Sequence, residues 1–382
     1  MLGAGVFAAF TPAAQAAGAG LLVGLVVAAV VAFCNASSSA QLAAVYPTSG
    51  GTYVYGREQL GPWWGFIAGW GFVIGKTASC AAMALTFAAY AAPAGWERPI
   101  AIAAVVLIGA VNYRGVSKTA TLARVLVIVT IVALALGVGA NVSTGLSFEG
   151  LDLVASGAYG ILQSAGLLFF AFAGFARIAT MGEEVRNPQR TIPRAILLAL
   201  GIVVLLYAVV AVVLLGALGP ATLAATDTPL AVGPLAPLVR FGAGAAALGA
   251  LLGLMAGIGR TTLAMARESD LPPWLAAVHP RFRVPHRAEA VLTLVVVSLV
   301  AVVDLSGAIG FSSFGVLVYY FIANISAFTQ GADVRRYPRV LQVAGATLCA
   351  LLVVTLPVPS IIGGAIVIAF GVGYRLLRVR VR

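Results

Sequence analysis

The sequence predicts an all-α, polytopic membrane protein. Of its 382 residues, 61% are hydrophobic and only 9% are charged, whereas a soluble domain carries about 25% charged residues. A soluble chain of this length could not cover so much apolar surface, and a disordered chain would not contain it. The apolar residues fall into long runs joined by short loops, which leave no room for a soluble domain between the runs.

Eleven apolar runs approach or exceed the length that crosses a bilayer, which is about 20 residues. In chain order they lie near 19–45, 63–92, 99–112, 122–141, 157–181, 195–219, 238–265, 288–305, 309–329, 340–357 and 360–377. A shorter apolar piece at 1–14 precedes them and cannot span by itself. Because this piece lacks the basic start of a signal peptide, we interpret it as the second half of one more helix.

The basic residues lie almost entirely on one side of the predicted membrane. A net charge of +11 would suggest a nucleic-acid partner for a soluble protein, but in a membrane protein Lys and Arg mark cytoplasmic loops. If the loop with Arg57 is cytoplasmic, the opposite side keeps only Arg98 and Arg240. The cytoplasmic side then holds Arg57, Arg114, Lys118, Arg124, Arg186, Arg190, Arg194, Arg267, Arg281, Arg283, Arg287, Arg335, Arg336, Arg339, Arg375, Arg378, Arg380 and Arg382. We therefore predict a multi-pass protein of the cell membrane with a cytoplasmic C-terminus and no nucleic-acid binding.

One lysine lies where charged residues are rare. Lys76 is about fourteen residues into the run at 63–92, close to mid-membrane. A charge at this depth is costly and marks a functional candidate; the alternative is a lysine that binds a carbonyl or extends to the interface. Arg177 precedes Glu183 and Glu184 at a helix end, and there an ion pair is the expected interpretation.

The sequence gives no support for a metal site, a cofactor or an enzyme. The three cysteines, Cys34, Cys80 and Cys349, all lie inside apolar runs, as small packing residues do. No HExxH motif, no paired mid-membrane aspartates and no plausible Ser/His pair occur within the runs, so neither a metalloprotease nor a serine hydrolase is expected.

Two apolar runs are interrupted by glycine at matching places. The motif GAG at 3–5 opens the first apolar piece, and FAFAGF at 170–175 lies in the middle of the run at 157–181. Transporters often bind substrate where two helices break, because broken helices expose backbone N–H and C=O groups. A helix N-terminus attracts a carboxylate and freed carbonyls attract an ammonium. Glycine is also a close-packing residue in membrane helices, so the pair of matching positions, rather than either motif alone, favours a site.

Five motifs in chain order carry a resemblance to a known family. They are GAGVF at 3–7, YPTSGGTYVYGREQLG at 46–61, NYRGVSKTA at 112–120, FFAFAGFARIATMGEEVRNPQRTIPRAI at 169–196 and MARESDLPPWLAAVHPRFRVPHRAEA at 265–290. The sequence resembles the amino acid–polyamine–organocation (APC) superfamily of permeases at helix 1, the loop before helix 3, the start of helix 5, helix 6 and the loop after helix 8.

The resemblance implies a leucine-transporter-like fold of two inverted five-helix repeats with two extra C-terminal helices. It assigns residues 1–142 to the first repeat (helices 1b to 5), 157–330 to the second (helices 6 to 10), and 340–382 to helices 11 and 12 and a basic cytoplasmic tail. Family members begin with a cytoplasmic tail and the first half of helix 1. Neither is in this sequence, so we expect a truncated first helix and a start codon assigned downstream of the true one.

The resemblance also implies a secondary transporter that moves amino acids or related amines across the lipid bilayer by alternating access. The positions carried over are the backbone of Gly3, Ala4 and Gly5 for the substrate carboxylate, the carbonyls around Phe170, Ala171 and Ala173 for the amino group, and Phe172 or Phe175 for an aromatic lid. A channel, a non-transporting subunit or a sensor is the alternative.

The coupling residue departs from the family pattern. Proton-coupled members carry a lysine in helix 5, where this sequence has Thr130. Lys76 on helix 3 is then the candidate substitute for coupling to protons; alternatively, the protein is an exchanger without ion coupling. No mid-membrane carboxylate is evident to pair with a cationic side chain, so neutral amino acids are the favoured substrates.

Overall fold

The computed structural model describes residues 3–47, 50–115, 120–175, 185 and 187–380, and these ranges form only helices and loops. The α-helices, numbered in chain order, are α1 (Gly5–Ala8), α2 (Phe10–Ala17), α3 (Leu21–Val45), α4 (Thr52–Leu60), α5 (Pro62–Ala91), α6 (Glu97–Tyr113), α7 (Ala120–Ser143), α8 (Gly157–Phe172), α9 (Pro188–Ala225), α10 (Ala236–Arg267), α11 (His286–Val302), α12 (Leu305–Phe328), α13 (Arg339–Thr355) and α14 (Val358–Arg380). Three 3₁₀ turns lie at Gly18–Gly20, Ala173–Phe175 and Pro273–Ala276.

Each of the eleven predicted apolar runs contains or overlaps one helix, namely α3 and α5 to α14, and the run at 157–181 is described as far as residue 175. Within the described ranges, eight segments are long and apolar enough to cross a membrane. Helices α6, α11 and α13 have 17 residues each, about 25 Å at 1.5 Å per residue, against a hydrocarbon core of about 30 Å. The eight spanning segments and the absence of strands in the described ranges confirm the all-α polytopic membrane fold.

Helix α5 packs in the centre of the bundle against α10 and α12. At its crossing with α12 the two backbones touch, because a Cβ on Gly315 would lie 2.6 Å from the carbonyl oxygen of Gly71 and 2.8 Å from the Cα of Gly75. Small residues permit such close approach in membrane helices, whose association rests on van der Waals packing. The crossing fixes α5 one residue before Lys76, so the lysine side chain leaves the helix in a defined direction.

The N-terminal apolar piece lies inside the bundle. It forms α1 and α2, and α2 packs against α8 and α9. Val6, Phe7 and Phe10 are at most 2% exposed, and the Thr11 hydroxyl donates to the carbonyl of Thr226 at 2.6 Å. This placement brings the start of the chain to the end of α8.

One end of the bundle is held by a group of polar residues that we call the Asp270 cluster: Tyr53, Arg57, Asp270 and Arg375. The Asp270 carboxylate accepts hydrogen bonds from the Tyr53 hydroxyl at 2.9 Å and from the Arg375 guanidinium. Arg57 lies 3.5 Å from the same carboxylate. Burial and the neighbouring Asp270 raise the pKa of the Tyr53 hydroxyl, which keeps it protonated as a donor. The cluster joins α4, the loop after α10, and α14.

Aromatic rings complete the surroundings of Arg375. Its guanidinium carbon lies 4.9 Å from the ring centroid of Trp63 and 4.8 Å from that of Phe66, a cation–π arrangement. At the rim of the cluster, Glu268 forms a 2.8 Å ion pair with Arg57, but its side chain is 52% exposed. Arg375, the buried cation, is thus neutralised by Asp270 and lies against the rings of Trp63 and Phe66.

Candidate functional site

The two predicted helix interruptions lie against each other in the structure. Helix α1 begins at Gly5 after a bend and a turn at Gly3 and Ala4, and α8 ends at Phe172 and continues as the 3₁₀ turn Ala173–Phe175. A Cβ on Gly5 would lie 2.8 Å from the Cα of Ala171. The backbones of the two segments are therefore in direct contact, and the contact requires glycine at position 5.

The start of α1 offers backbone donors. The N–H groups at the start of a helix have no acceptor four residues earlier within the helix, and they carry the positive end of the helix dipole; of these, the Phe7 N–H already donates to the Ala4 carbonyl. The carbonyls of Ala4 and Gly5 accept bonds from Phe7 at 2.9 Å and Ala9 at 3.0 Å. Gly3 lies beside α10, since a Cβ there would be 3.5 Å from the Cβ of Ala250. This end of the helix therefore suits an anion such as a carboxylate.

The end of α8 offers carbonyl acceptors, and two of them already hold side-chain hydrogen bonds. The Tyr207 hydroxyl donates to the carbonyl of Ala171 at 3.1 Å, and the Lys76 ammonium donates to the carbonyl of Ala173 at 3.2 Å. Both bonds are buried. A carbonyl oxygen has a second lone pair, so a substrate amino group could share these acceptors or replace their present donors.

Lys76 has no carboxylate within ion-pair distance among the described residues, and its side chain is buried, at 6% exposure. Of the alternatives open from the sequence, the structure shows a lysine that binds a carbonyl. That carbonyl belongs to Ala173, in the segment predicted to receive the substrate amino group. An intramembrane cation with one neutral partner is costly, and here the costly group lies at the predicted site.

Thr130 makes a different kind of contact. Its hydroxyl donates to the carbonyl of Leu126 on its own helix, α7, at 2.7 Å, and its side chain is 2% exposed. This bond satisfies the hydroxyl locally and involves no other helix. The role of position 130 as the counterpart of the coupling lysine stays a prediction.

The phenylalanines proposed for the lid face different helices. Phe172 packs on Tyr207 of α9, with ring centroids 5.0 Å apart, and Phe175 packs on Tyr320 of α12 at 4.9 Å. Both are fully buried, and Phe170 is 7% exposed. The choice between the two as a lid therefore stays open, and each would move relative to a different neighbour.

Comparison with known proteins decides the family. The chain matches the family described as amino acid permease over residues 1–374. It belongs to the amino acid permease family. An uncharacterized transporter of Mycobacterium tuberculosis (strain ATCC 25618 / H37Rv) is 58% identical over 381 residues, which cover 97% of this chain and 86% of the relative.

Two more distant relatives have names that state a substrate. The branched-chain amino acid permease BcaP of Bacillus subtilis (strain 168) is 25% identical over 369 residues, 88% of this chain and 79% of the relative. The methylthioribose transporter of the same bacterium is 27% identical over 365 residues, 85% of this chain and 77% of the relative. The resemblance to the APC superfamily is confirmed, and the permease is a transporter rather than an enzyme.

Three tyrosines that contact the candidate site were not singled out from the sequence. Besides Tyr207 and Tyr320, the Tyr90 hydroxyl donates to the carbonyl of Phe7 at 3.3 Å, and its ring lies 5.7 Å from that of Phe7. A tyrosine inside an apolar helix needs a partner for its hydroxyl, and this signal could have identified the three positions. It could not have identified that Tyr90 and Tyr207 donate to the carbonyls of Phe7 and Ala171.

Part of the predicted region is not covered by these observations. Arg177, Glu183 and Glu184, for which a helix-end ion pair is predicted, lie outside the described residues.

Proposed function

We propose that this permease is a secondary transporter that moves amino acids or related amines across the cell membrane by alternating access. The observation that carries the proposal is the contact between Gly5 and Ala171. This contact places a helix N-terminus, which attracts a carboxylate, beside the carbonyls at the end of α8, which attract an amino group. A zwitterionic substrate needs both kinds of backbone group in one buried place.

Neutral amino acids are the proposed substrates. Lys76 brings an ammonium to this place, 3.2 Å from the Ala173 carbonyl, and a cationic substrate side chain would be repelled by it. One relative is named for branched-chain amino acids and another for methylthioribose. The substrate test therefore includes both compounds.

The proposed movement is that of the family's helices 1 and 6, which are α1 with α2 and α8 with its 3₁₀ turn in this structure, against the remaining bundle. In this arrangement residues 1–142 and 157–330 form the two inverted repeats, and 340–382 add two helices and a cytoplasmic C-terminus. Lys76 lies on α5, in the part proposed to stay in place, and its acceptor Ala173 lies in the 3₁₀ turn after α8, in the part proposed to move. Their bond therefore joins the two parts. Rocking would break and re-form it.

Protons are the proposed coupling ions, with Lys76 as the group that binds and releases them. A protonated lysine donates to the Ala173 carbonyl, and a neutral one weakens its hold on helix 6. The second candidate is exchange without ion coupling. Thr130 favours it, because a neutral hydroxyl that binds its own helix cannot replace a coupling lysine.

Uptake into proteoliposomes tests the proposal. Purified protein is reconstituted with and without an internal amino acid pool and is given radiolabelled neutral amino acids, amines or methylthioribose, with protein-free liposomes as the control. Uptake into empty vesicles that follows an imposed pH gradient supports proton coupling. Uptake that requires internal substrate supports exchange. No uptake of any of these compounds in either arrangement would contradict the transport proposal.

The coupling role has its own test. Lys76→Met should abolish the pH dependence of uptake, whereas Lys118→Met, which removes the other lysine of the chain, should keep it. Unchanged pH dependence in Lys76→Met would contradict the coupling role and leave the transport proposal standing.

A further inference from the structure

An apolar groove runs along the outside of the bundle between α5, α11 and α14. It encloses about 460 Å³ and is lined almost wholly by apolar side chains, among them Trp70, Val295 and Phe370. Val295 is 42% exposed and Phe370 is 72% exposed. The groove therefore opens sideways to the bilayer and is separate from the candidate substrate site.

The length of the groove matches one leaflet of a membrane. Along α11 its lining extends from Ala288 to Leu299, which is about 17 Å at 1.5 Å per residue. Half of a hydrocarbon core of about 30 Å is about 15 Å. A lipid acyl chain that begins at one membrane surface would fill the groove along its length.

Two arginines flank the end of the groove near α4. Arg378 donates to the carbonyl of Leu271 and to the hydroxyl of Tyr374, the latter at 2.8 Å, and both of these residues line the groove. Arg287 donates to the carbonyl of Trp274 at 3.4 Å. Trp274 is 49% exposed, as expected for a tryptophan at a membrane–water interface.

The positive charge at this mouth is not neutralised by the protein residues that the structure describes. Neither Arg287 nor Arg378 forms an ion pair with any of them. The neighbouring acid, Asp270, is already bound by Arg375 and Arg57. Each guanidinium uses one of its nitrogens in the hydrogen bonds above, and its other N–H groups can donate to a phosphate.

We propose that this groove binds an anionic glycerophospholipid, with one acyl chain along α11 and the phosphate on Arg287 and Arg378. The charge at the mouth selects the headgroup, and the apolar lining holds the chain. The inference does not depend on the substrate or coupling proposed above.

Thermal unfolding of the detergent-purified protein tests the headgroup. Dioleoyl phosphatidylglycerol should raise Tm with concentration, as a ligand of the folded state does, and dioleoyl phosphatidylcholine should raise it less. The double variant Arg287→Gln/Arg378→Gln should need about 30-fold more phosphatidylglycerol, since each basic residue contributes about a factor of five to binding at an anionic surface. Arg98→Gln is the matched control, because Arg98 is an exposed arginine that donates to a carbonyl, that of Ala301, at the other end of α11.

A second pair of variants tests the chain. Val295→Trp, which fills the groove, should remove the effect of phosphatidylglycerol on Tm, whereas Val302→Trp, at an exposed position outside the lining, should keep it. Soluble glycerol 3-phosphate, which has the headgroup charge alone, should not raise Tm.

Four outcomes would overturn the proposal. They are equal stabilisation by the two lipids, a preference for phosphatidylglycerol that survives the double arginine variant, an equal effect of glycerol 3-phosphate, or efficient cross-linking of two copies through Phe370→Cys without any lipid preference. The last would show a second copy of the chain in the groove.

Discussion

Two regions of the permease each bury a cation on a membrane helix, and they treat it differently. Arg375 is 8% exposed and Lys76 is 6% exposed. Arg375 meets the carboxylate of Asp270 and two aromatic rings, whereas Lys76 meets one backbone carbonyl. The surroundings of Arg375 satisfy the charge and hold three elements together. Among the described residues Lys76 has this one hydrogen-bond partner, which lies in the segment that the proposed transport cycle would move.

The contrast between an ion-paired Arg375 and a carbonyl-bound Lys76 gives a way to distinguish a structural charge from a functional one. Removal of one partner of a buried ion pair leaves an uncompensated charge and is strongly destabilising. Removal of a buried cation whose partner is neutral instead relieves the cost of burying the charge, and this gain offsets the loss of one hydrogen bond. The two regions should therefore respond in opposite ways to substitution.

The largest effect on uptake is expected at the contact between Gly5 and Ala171. Gly5→Ala places a methyl group 2.8 Å from the Cα of Ala171, so α1 and α8 must separate. We expect uptake to fall about tenfold or more, which corresponds to about 1.4 kcal/mol, in the proteoliposome assay. Gly201→Ala is the control, because a Cβ there meets nothing within 4 Å. Equal uptake by the two variants would show that the contact is not needed.

Asp270→Asn should produce the largest loss of stability. The change leaves Arg375 buried without its anion, and we expect the free energy of unfolding to fall by about 3 kcal/mol, measured by denaturant or thermal unfolding in detergent. The pH dependence of uptake should persist in the folded protein. A loss below about 1 kcal/mol would remove the contrast between the two regions.

Lys76→Met should change stability little, although the side chain is as buried as that of Arg375. Met fills a similar volume and removes an ammonium that has one neutral partner. Because the relief of burying a charge offsets the hydrogen bond lost by the Ala173 carbonyl, the expected change is within about 1 kcal/mol, or stabilising, in the same unfolding measurement. If the variant loses as much stability as Asp270→Asn, Lys76 is a structural residue.

Glu268→Gln should have the smallest effect. Its ion pair with Arg57 is 2.8 Å long, but the Glu268 side chain is 52% exposed, and exposed pairs contribute between about 0 and 1 kcal/mol. We expect a loss of less than about 0.5 kcal/mol that decreases further in high salt. A loss equal to that of Asp270→Asn would mean that burial does not distinguish the members of the cluster.

Most of the fold could be predicted from the sequence, but little of the site could. The eleven apolar runs became α3 and α5 to α14, because a membrane helix satisfies its backbone bonds within one segment and needs only length and apolar composition. The glycine motifs at 3–5 and 170–175 could also be found in the sequence, because each lies within a few consecutive residues. The Asp270 cluster was not predicted, since its members come from α4, the loop after α10, and α14.

The membrane class, the eleven long apolar helices and the two helix interruptions follow from the sequence alone, since each depends on residues close together in the chain. Which groups meet became known from the packed bundle: Gly5 with Ala171, Lys76 with the Ala173 carbonyl, and Arg375 with Asp270. Such contacts depend on how helices distant in the chain cross, and the crossings are set by close packing, as where Gly315 of α12 meets Gly71 and Gly75 of α5. The charge of Lys76 is therefore evident from the sequence, but its partner, the Ala173 carbonyl, depends on the packing of the bundle.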